Sequence, residues 1–433
     1  MYLKLSLRSA CRNRRDYLLY TITLTVLIGV LSLSQLMGIL GGIAGFQTAS
    51  LPLLVGLIMV ILLRYISRFV LRQRAQEFAL YLLMGMERRK LAGMFFLEFF
   101  FLSCLSLAAG ILLGSFLGGT VWALFLSGSP EQTALAPAVL SAAARTAGYF
   151  LAVQLLSLAS TVQLIRRLEI RELRAERQRD QSQSLRRAGV WTAASAISAL
   201  LLTASLLGIL LLPEDAAGLL TGLVSLPLLA LVFAFYQALY AQLNRRRRSK
   251  NEALYRGDRL YLTAQFLSGG PQAALLDGVL CLCLLFAAGA FLFGGVMLSR
   301  TLAVMDPVSQ RYMGLMQLSI CAIFMVIYFT VLSLRQAVDA QRSHRSVKTL
   351  RHLGKSEREI RALLAKQTCL RFAAPLLLCL PLLALAVALA GCKLAIPLMA
   401  AWLCGAFLLC FAAFYGLYAW AVCRVSAQMI DSP

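Results

Sequence analysis

The stretch GMFFLEFFFLSCLSLAAGILLGSFLGGTVWALFL, residues 93–126, decides the fold class. It carries one charged residue, Glu98, in a run well beyond the about 20 apolar residues that take an α-helix across a bilayer core. Such a run is a membrane helix, long enough to tilt or to protrude. Gly110, Gly114 and Gly118 recur in it at a spacing of four, with Gly119 beside them. Small residues at that spacing let a neighbouring helix approach closely. Outward from this run, nine more segments read as spans, near 17–40, 50–71, 143–165, 189–212, 217–243, 273–298, 312–334, 369–391 and 395–422. The expected fold is an all-α membrane protein with ten transmembrane helices.

Composition agrees. Apolar residues make up 60% of the 433-residue chain and charged residues 14%, against about 45–50% and about 25% in soluble domains. The net charge of +23 would suit a nucleic-acid binder, but such proteins lack apolar runs of this length, so no nucleic-acid partner is expected. The first run starts near Tyr17 with no small-residue cleavage site behind it, so no cleavable signal is expected. Most of the 11 Cys lie in apolar runs, and His344 and His352 are the only histidines. With no metal-ligand spacing, the thiols read as small packing residues.

Charge sets the orientation. With ten spans and the N-terminus inside, 38 of the 42 Lys and Arg fall on one side, in segments 1–16, 64–90, 166–187, 245–259 and 335–371 and at Arg424. Only Arg145, Arg300, Arg311 and Lys393 fall on the other. One span more or fewer would scramble this segregation, so both termini are expected in the cytoplasm. The outer loops at 40–49, 127–142, 213–216, 299–311 and 392–394 are too short to fold as domains.

Two cytoplasmic segments look alike when Gly85 is laid on Gly354. One runs RQRAQEFALYLLMGMERRKL from Arg72, the other QRSHRSVKTLRHLGKSEREI from Gln341. Each reads as a short amphipathic helix after a span, a glycine stop and a charged start to the next span. Glycine supplies a left-handed C-cap at little steric cost, and Ser356 can cap the helix that follows.

On these segments the chain resembles the FtsX-like (MacB-superfamily) permeases of ABC transporters. The match extends to Leu3–Tyr20 ahead of the first span, repeated loosely from Leu254 ahead of the seventh. The resemblance implies two four-helix units, 1–188 and 251–433, with a joining pair of helices at 189–250. It is similar to the ten-span bacitracin-resistance type, whose large extracellular domain between spans 7 and 8 is here reduced to Ser299–Arg311. It also implies that the repeated segments couple to ATPase subunits. The residues concerned are Arg74, Glu77, Phe78, Leu82, Leu83 and Gly85 in one copy and Arg345, Val347, Leu350, Leu353 and Gly354 in the other. Read as residues alone, such segments also suit basic helices holding anionic headgroups; two copies in the same relation to their spans, each with an apolar strip, favour a groove on a soluble partner.

Glu98 is costly among apolar neighbours and should pair or face a cavity. The matching residue of the second copy is Gln367. Both a structural role and proton or substrate handling fit. Asp277, near the inner end of span 7, reads as a solvated interfacial residue. The linker 166–188 reads as a helix continuing into the cytoplasm, either solvated or a second docking surface. Arg245–Arg248 reads as a stop-transfer cluster.

Gly354-Lys355-Ser356 imitates the end of a Walker A loop, but that motif needs an earlier glycine where Thr349 stands, and a strand before it. No catalytic arrangement appears either, so neither enzymatic activity nor a cofactor is expected in this chain. ATP and Mg would be bound by a separate ATPase, expected in two copies. The expected function is a permease subunit moving an amphiphilic substrate, such as an antimicrobial peptide, lipopeptide or lipid, across or out of the bacterial cytoplasmic membrane. Two rivals remain: a relay of ATPase state to a sensor histidine kinase or cell-wall enzyme, and an ion-coupled transporter. The second is weakened by the scarcity of ionisable residues inside the spans.

Overall fold

The computed structural model describes residues 14–43, 50–73, 75–126, 135–167, 188–211, 224–249, 258–299, 307–352, 354–394 and 397–431. Among them it forms helices and no strand. In chain order the helices are α1 Arg14–Ile43, α2 Ser50–Gln73, α3 Ala75–Leu83, α4 Arg88–Leu126, α5 Leu135–Arg167 and α6 Ala188–Leu211. They continue as α7 Ser225–Arg248, α8 Arg259–Leu267, α9 Gly270–Leu298, α10 Pro307–His352, α11 Glu357–Leu394 and α12 Pro397–Asp431. Nine helices among the described residues are long and apolar enough to cross a membrane. The expected second span lies in α2, but its apolar stretch, Pro52–Ser67, is shorter than a full crossing, because Arg64 and Arg68 end the greasy run early.

Two boundaries shift because helices continue past the polar residues that mark loops. α5 begins at Leu135, inside the expected outer loop 127–142, and α10 begins at Pro307, inside 299–311. Proline at the first helical position costs nothing, since that N–H has no intrahelical partner. The N-terminal arm before residue 14, most of the linker 166–188, the segment 251–257 and, in the outer loops, residues 44–49, 127–134, 213–216 and 300–306 lie outside the described residues, whereas 392–394, expected as a loop, ends α11.

The chain divides into two compact units. One comprises Met1–Arg179 with Phe293–Leu334, the other Asp180–Leu292 with Arg335–Pro433. In the first, α1 lies along α4, and α5 packs against α1, α2 and α4. The glycine strip makes this close approach. A Cβ at Gly110 would stand 2.6 Å from the Ile28 Cβ, one at Gly114 2.7 Å from the Gly29 carbonyl oxygen, and one at Gly118 2.5 Å from Leu36. Gly119 adds nothing to the strip: a Cβ there would meet open space. In the second unit α6 pairs with α7, α11 with α12, and the short α8 touches both α7 and α11. Pro375 and Pro381 interrupt the hydrogen-bond ladder of α11. The Tyr236 hydroxyl reaches the carbonyls of Ala374 (2.9 Å) and Pro375 (3.0 Å) at that point.

Candidate functional site

The first of the two segments expected to couple to an ATPase forms α3 and ends at Gly85 with φ +89°. The Gly85 N–H donates to the Leu82 carbonyl and the Met86 N–H to that of Tyr81, both at 3.1 Å. This is a Schellman closure, which requires a left-handed residue that glycine adopts without Cβ strain. Leu80, Leu83 and Met84 are 58%, 65% and 67% exposed. Their i, i+3, i+4 spacing makes one apolar strip leading into the turn. Leu83 was expected there from the sequence; Leu80 and Met84 were missed, although the helical spacing was available to find them. Glu77 and Leu82 are half-buried. Arg74 lies outside the described residues, and of Phe78 only the helical backbone is described.

The second segment ends on the same geometry. Gly354 has φ +80°; its N–H donates to Arg351 and that of Lys355 to Leu350, at 3.0 and 3.3 Å. Ser356 and Glu359 then exchange side chain-to-backbone hydrogen bonds at 3.3 and 3.4 Å, a capping box that starts α11. Arg351 pairs with Glu357 at 3.0 Å. Lys355 reaches Asp258, ahead of α8, at 3.4 Å, and Lys366 reaches the same carboxylate at 3.4 Å. The Lys366 hydrogen bond foremost, then Lys355, hold the Asp258 carboxyl below the ordinary carboxylate range against partial desolvation.

Two expectations for this segment change. It is no separate short helix but the last turns of the 46-residue α10, since no residue between span and segment breaks the helix. Val347, expected in a partner-facing strip, is 8% exposed and packs within this chain. Leu350 is half-buried, Leu353 lies outside the described residues, and of Arg345 only the backbone is described.

A buried charge ladder in the second unit went unread in the sequence. Asp277 is not solvated: it is 0% exposed and ion-paired with Arg335. Its other oxygen accepts from the Tyr240 hydroxyl at 2.7 Å and from Arg335 at 3.2 Å. Arg335 stands 4.0 Å from Asp339, and Asp339 pairs with Arg371. Arg371 also donates to the Gln265 carbonyl of α8 at 2.8 Å. All four charged side chains are buried. Arg335 and Arg371, expected in a basic cytoplasmic segment, are thus buried within helices of the second unit. Two acids and two bases alternate, so each desolvated charge has an opposite neighbour.

The first unit holds a neutral counterpart. Gln154 donates to the Ser103 hydroxyl at 2.6 Å, Ser103 donates to the Phe99 carbonyl at 2.6 Å, and the Tyr20 and Ser103 hydroxyls lie 3.0 Å apart. Glu98 and Gln367, matched through the glycine register, are 4% and 6% exposed. Both positions bury a polar side chain.

Residues 49–170 match the family model of the FtsX-like permease C-terminal region. The matched stretch holds α2, α3, α4 and α5, with the Gly85 turn between its first two long helices. It supports a membrane permease component of an ABC-type system, a family that normally works with an ATPase partner. Among curated proteins none matches the chain.

Proposed function

We propose that this chain is the permease subunit of an ABC transporter of the bacterial cytoplasmic membrane. In this reading it has ten spans in two repeated units and cytoplasmic termini. A separate ATPase in two copies binds ATP and Mg. Its closure drives the segments at Gly85 and Gly354, and the helices pass the movement to an amphiphilic substrate: an antimicrobial peptide, a lipopeptide or a lipid. The observation that carries the reading is the exposed strip Leu80, Leu83 and Met84, which runs into a Schellman turn inside the family-matched stretch. Such a strip on a charge-rich segment suits a groove on a soluble protein. Glycine fixes the direction in which the chain leaves it. Broad lipid-facing apolar surfaces, such as Leu112 and Phe116 on α4 and Trp402 and Leu409 on α12, favour a substrate reached through the bilayer.

Leu83→Asp places a charge in that contact. It should weaken co-purification with the ATPase about tenfold or more, by the loss of one buried leucine, while the membrane helices stay folded by circular dichroism. ATPase binding and coupled activity at wild-type level would overturn the reading. A sensor kinase or cell-wall enzyme held stoichiometrically by the complex would shift it to a relay.

A further inference from the structure

The second unit contains a polar groove that neither the coupling turns nor the charge ladder uses. It encloses about 570 Å³ between the first turns of α6 and the last turns of α7. Gly189 and Thr192 line one side, and Gln242, Arg245, Arg246 and Ser249 the other. Every side chain in this lining is neutral or positive. The two hydroxyls are already committed: Thr192 donates to the Gly189 carbonyl at 2.9 Å and Ser249 to the Arg246 carbonyl at 3.0 Å. Arg245 and Arg246 make no ion pair among the described residues, so their guanidinium groups and the Gln242 amide are the groove's open donors.

Two planar guanidinium groups with no carboxylate between them form a receptor for an oxyanion, because each offers parallel N–H groups to a pair of phosphate oxygens. What surrounds the groove says which oxyanion. Val190 and Trp191 lie between the lining residues Gly189 and Thr192 on the first turn of α6, and both are exposed. Further along α6 the apolar surface continues at Ile197, Leu200 and Leu201, all more than half exposed. A free phosphate has no use for an apolar strip at its side, whereas a phospholipid needs one for its acyl chains. Tryptophan sits by preference at headgroup depth, which sets the groove at that level. The arginine end of α7 belongs to the side where basic residues gather, the side whose leaflet carries the anionic lipids.

We propose that this groove binds the phosphate of an anionic phospholipid of the cytoplasmic leaflet. Arg245 and Arg246 hold the phosphate oxygens, Gln242 adds a neutral donor, and the acyl chains lie along the exposed face of α6. The site belongs to the joining pair of helices and does not depend on ATPase coupling.

The test uses the full chain in nanodiscs of phosphatidylcholine containing a minor fraction of spin-labelled phosphatidylglycerol. Its association constant relative to spin-labelled phosphatidylcholine is read by electron paramagnetic resonance. The double variant Arg245→Gln, Arg246→Gln should lower the preference for phosphatidylglycerol roughly thirtyfold, from about fivefold for each arginine near a membrane surface. Gly189→Trp keeps both charges and fills the groove. A side chain there meets open space, so the fold should survive while the preference falls as in the double variant. Arg358→Gln with Arg361→Gln removes the same charge elsewhere and should change little. An unchanged preference in the groove variants, or an equal fall in this control, overturns the site. Displacement of the labelled lipid by millimolar inorganic phosphate would show a free-phosphate site and overturn the lipid assignment.

Discussion

The two units solve the same problem, polar groups inside a membrane helix bundle, in opposite ways. The first gathers Tyr20, Ser103 and Gln154, from three helices, into a cluster of neutral hydrogen bonds. The second alternates Asp277, Arg335, Asp339 and Arg371, four charges that hold only as a set. With Gly85 laid on Gly354, Arg335, Asp339 and Arg371 fall opposite the apolar Ile66, Val70 and Leu102, and Tyr20, Ser103 and Gln154 fall opposite Gly289, Phe372 and Cys423, so the two solutions use different sequence positions. The segments that end at Gly85 and Gly354 differ as well. The first, α3, follows α2 with only Arg74, outside the described residues, between them; the second is the end of α10, with Lys355 tied to Asp258 and α8 tied to Arg371. Similar sequence patterns thus end on the same glycine turn, and ion pairs brace the second to its unit.

The largest expected effect comes from breaking the ladder. Asp277→Leu leaves Arg335 without its main partner and should destabilise the second unit by about 3–5 kcal/mol, whereas Asp277→Leu with Arg335→Met should recover most of the loss. Denaturant titration in mixed micelles measures both, and an additive double variant would refute a coupled pair. Next comes Glu98, where the sequence register predicts that an amide suffices. Glu98→Gln should leave folding near normal, while Glu98→Leu costs about 1–3 kcal/mol if buried polar partners lose their acceptor. A well-folded but inactive Glu98→Gln would assign the residue to proton or substrate handling. In the neutral cluster Gln154→Leu should cost only about 0.6 kcal/mol, the average found for hydrogen bonds between membrane helices. A loss as large as that of Asp277→Leu would erase the contrast between the units.

The smallest effect is the pH response of the Asp258 clamp. Its folded-state pKa is depressed by Lys366 and Lys355, so its contribution is complete above the unfolded value of about 3.9. That contribution is lost as the pH falls through the depressed folded value. Amide exchange of α8, corrected for its intrinsic pH dependence, should show unchanged protection from pH 7 to 5 and loosen only below about pH 4. Asp258→Asn should abolish that acid step.

The helical class, the long apolar runs, the gathering of basic charge and the two glycine stops were all determined by the sequence alone. Each depends on properties of one segment: its greasy length, its charge, or a residue that tolerates positive φ. The strip of Gly110, Gly114 and Gly118 was legible for the same reason, as a period along one helix; the helix it meets, α1, was not. The tertiary structure decided the rest. Asp277 and Arg335 are 58 residues apart, and nothing in either neighbourhood marks them as partners. In one dimension Arg335 resembles any other basic residue at the end of a span. Its burial, like that of Val347 and unlike that of Leu83, depends on which face of a helix meets a neighbour, and only the packed chain supplies that neighbour.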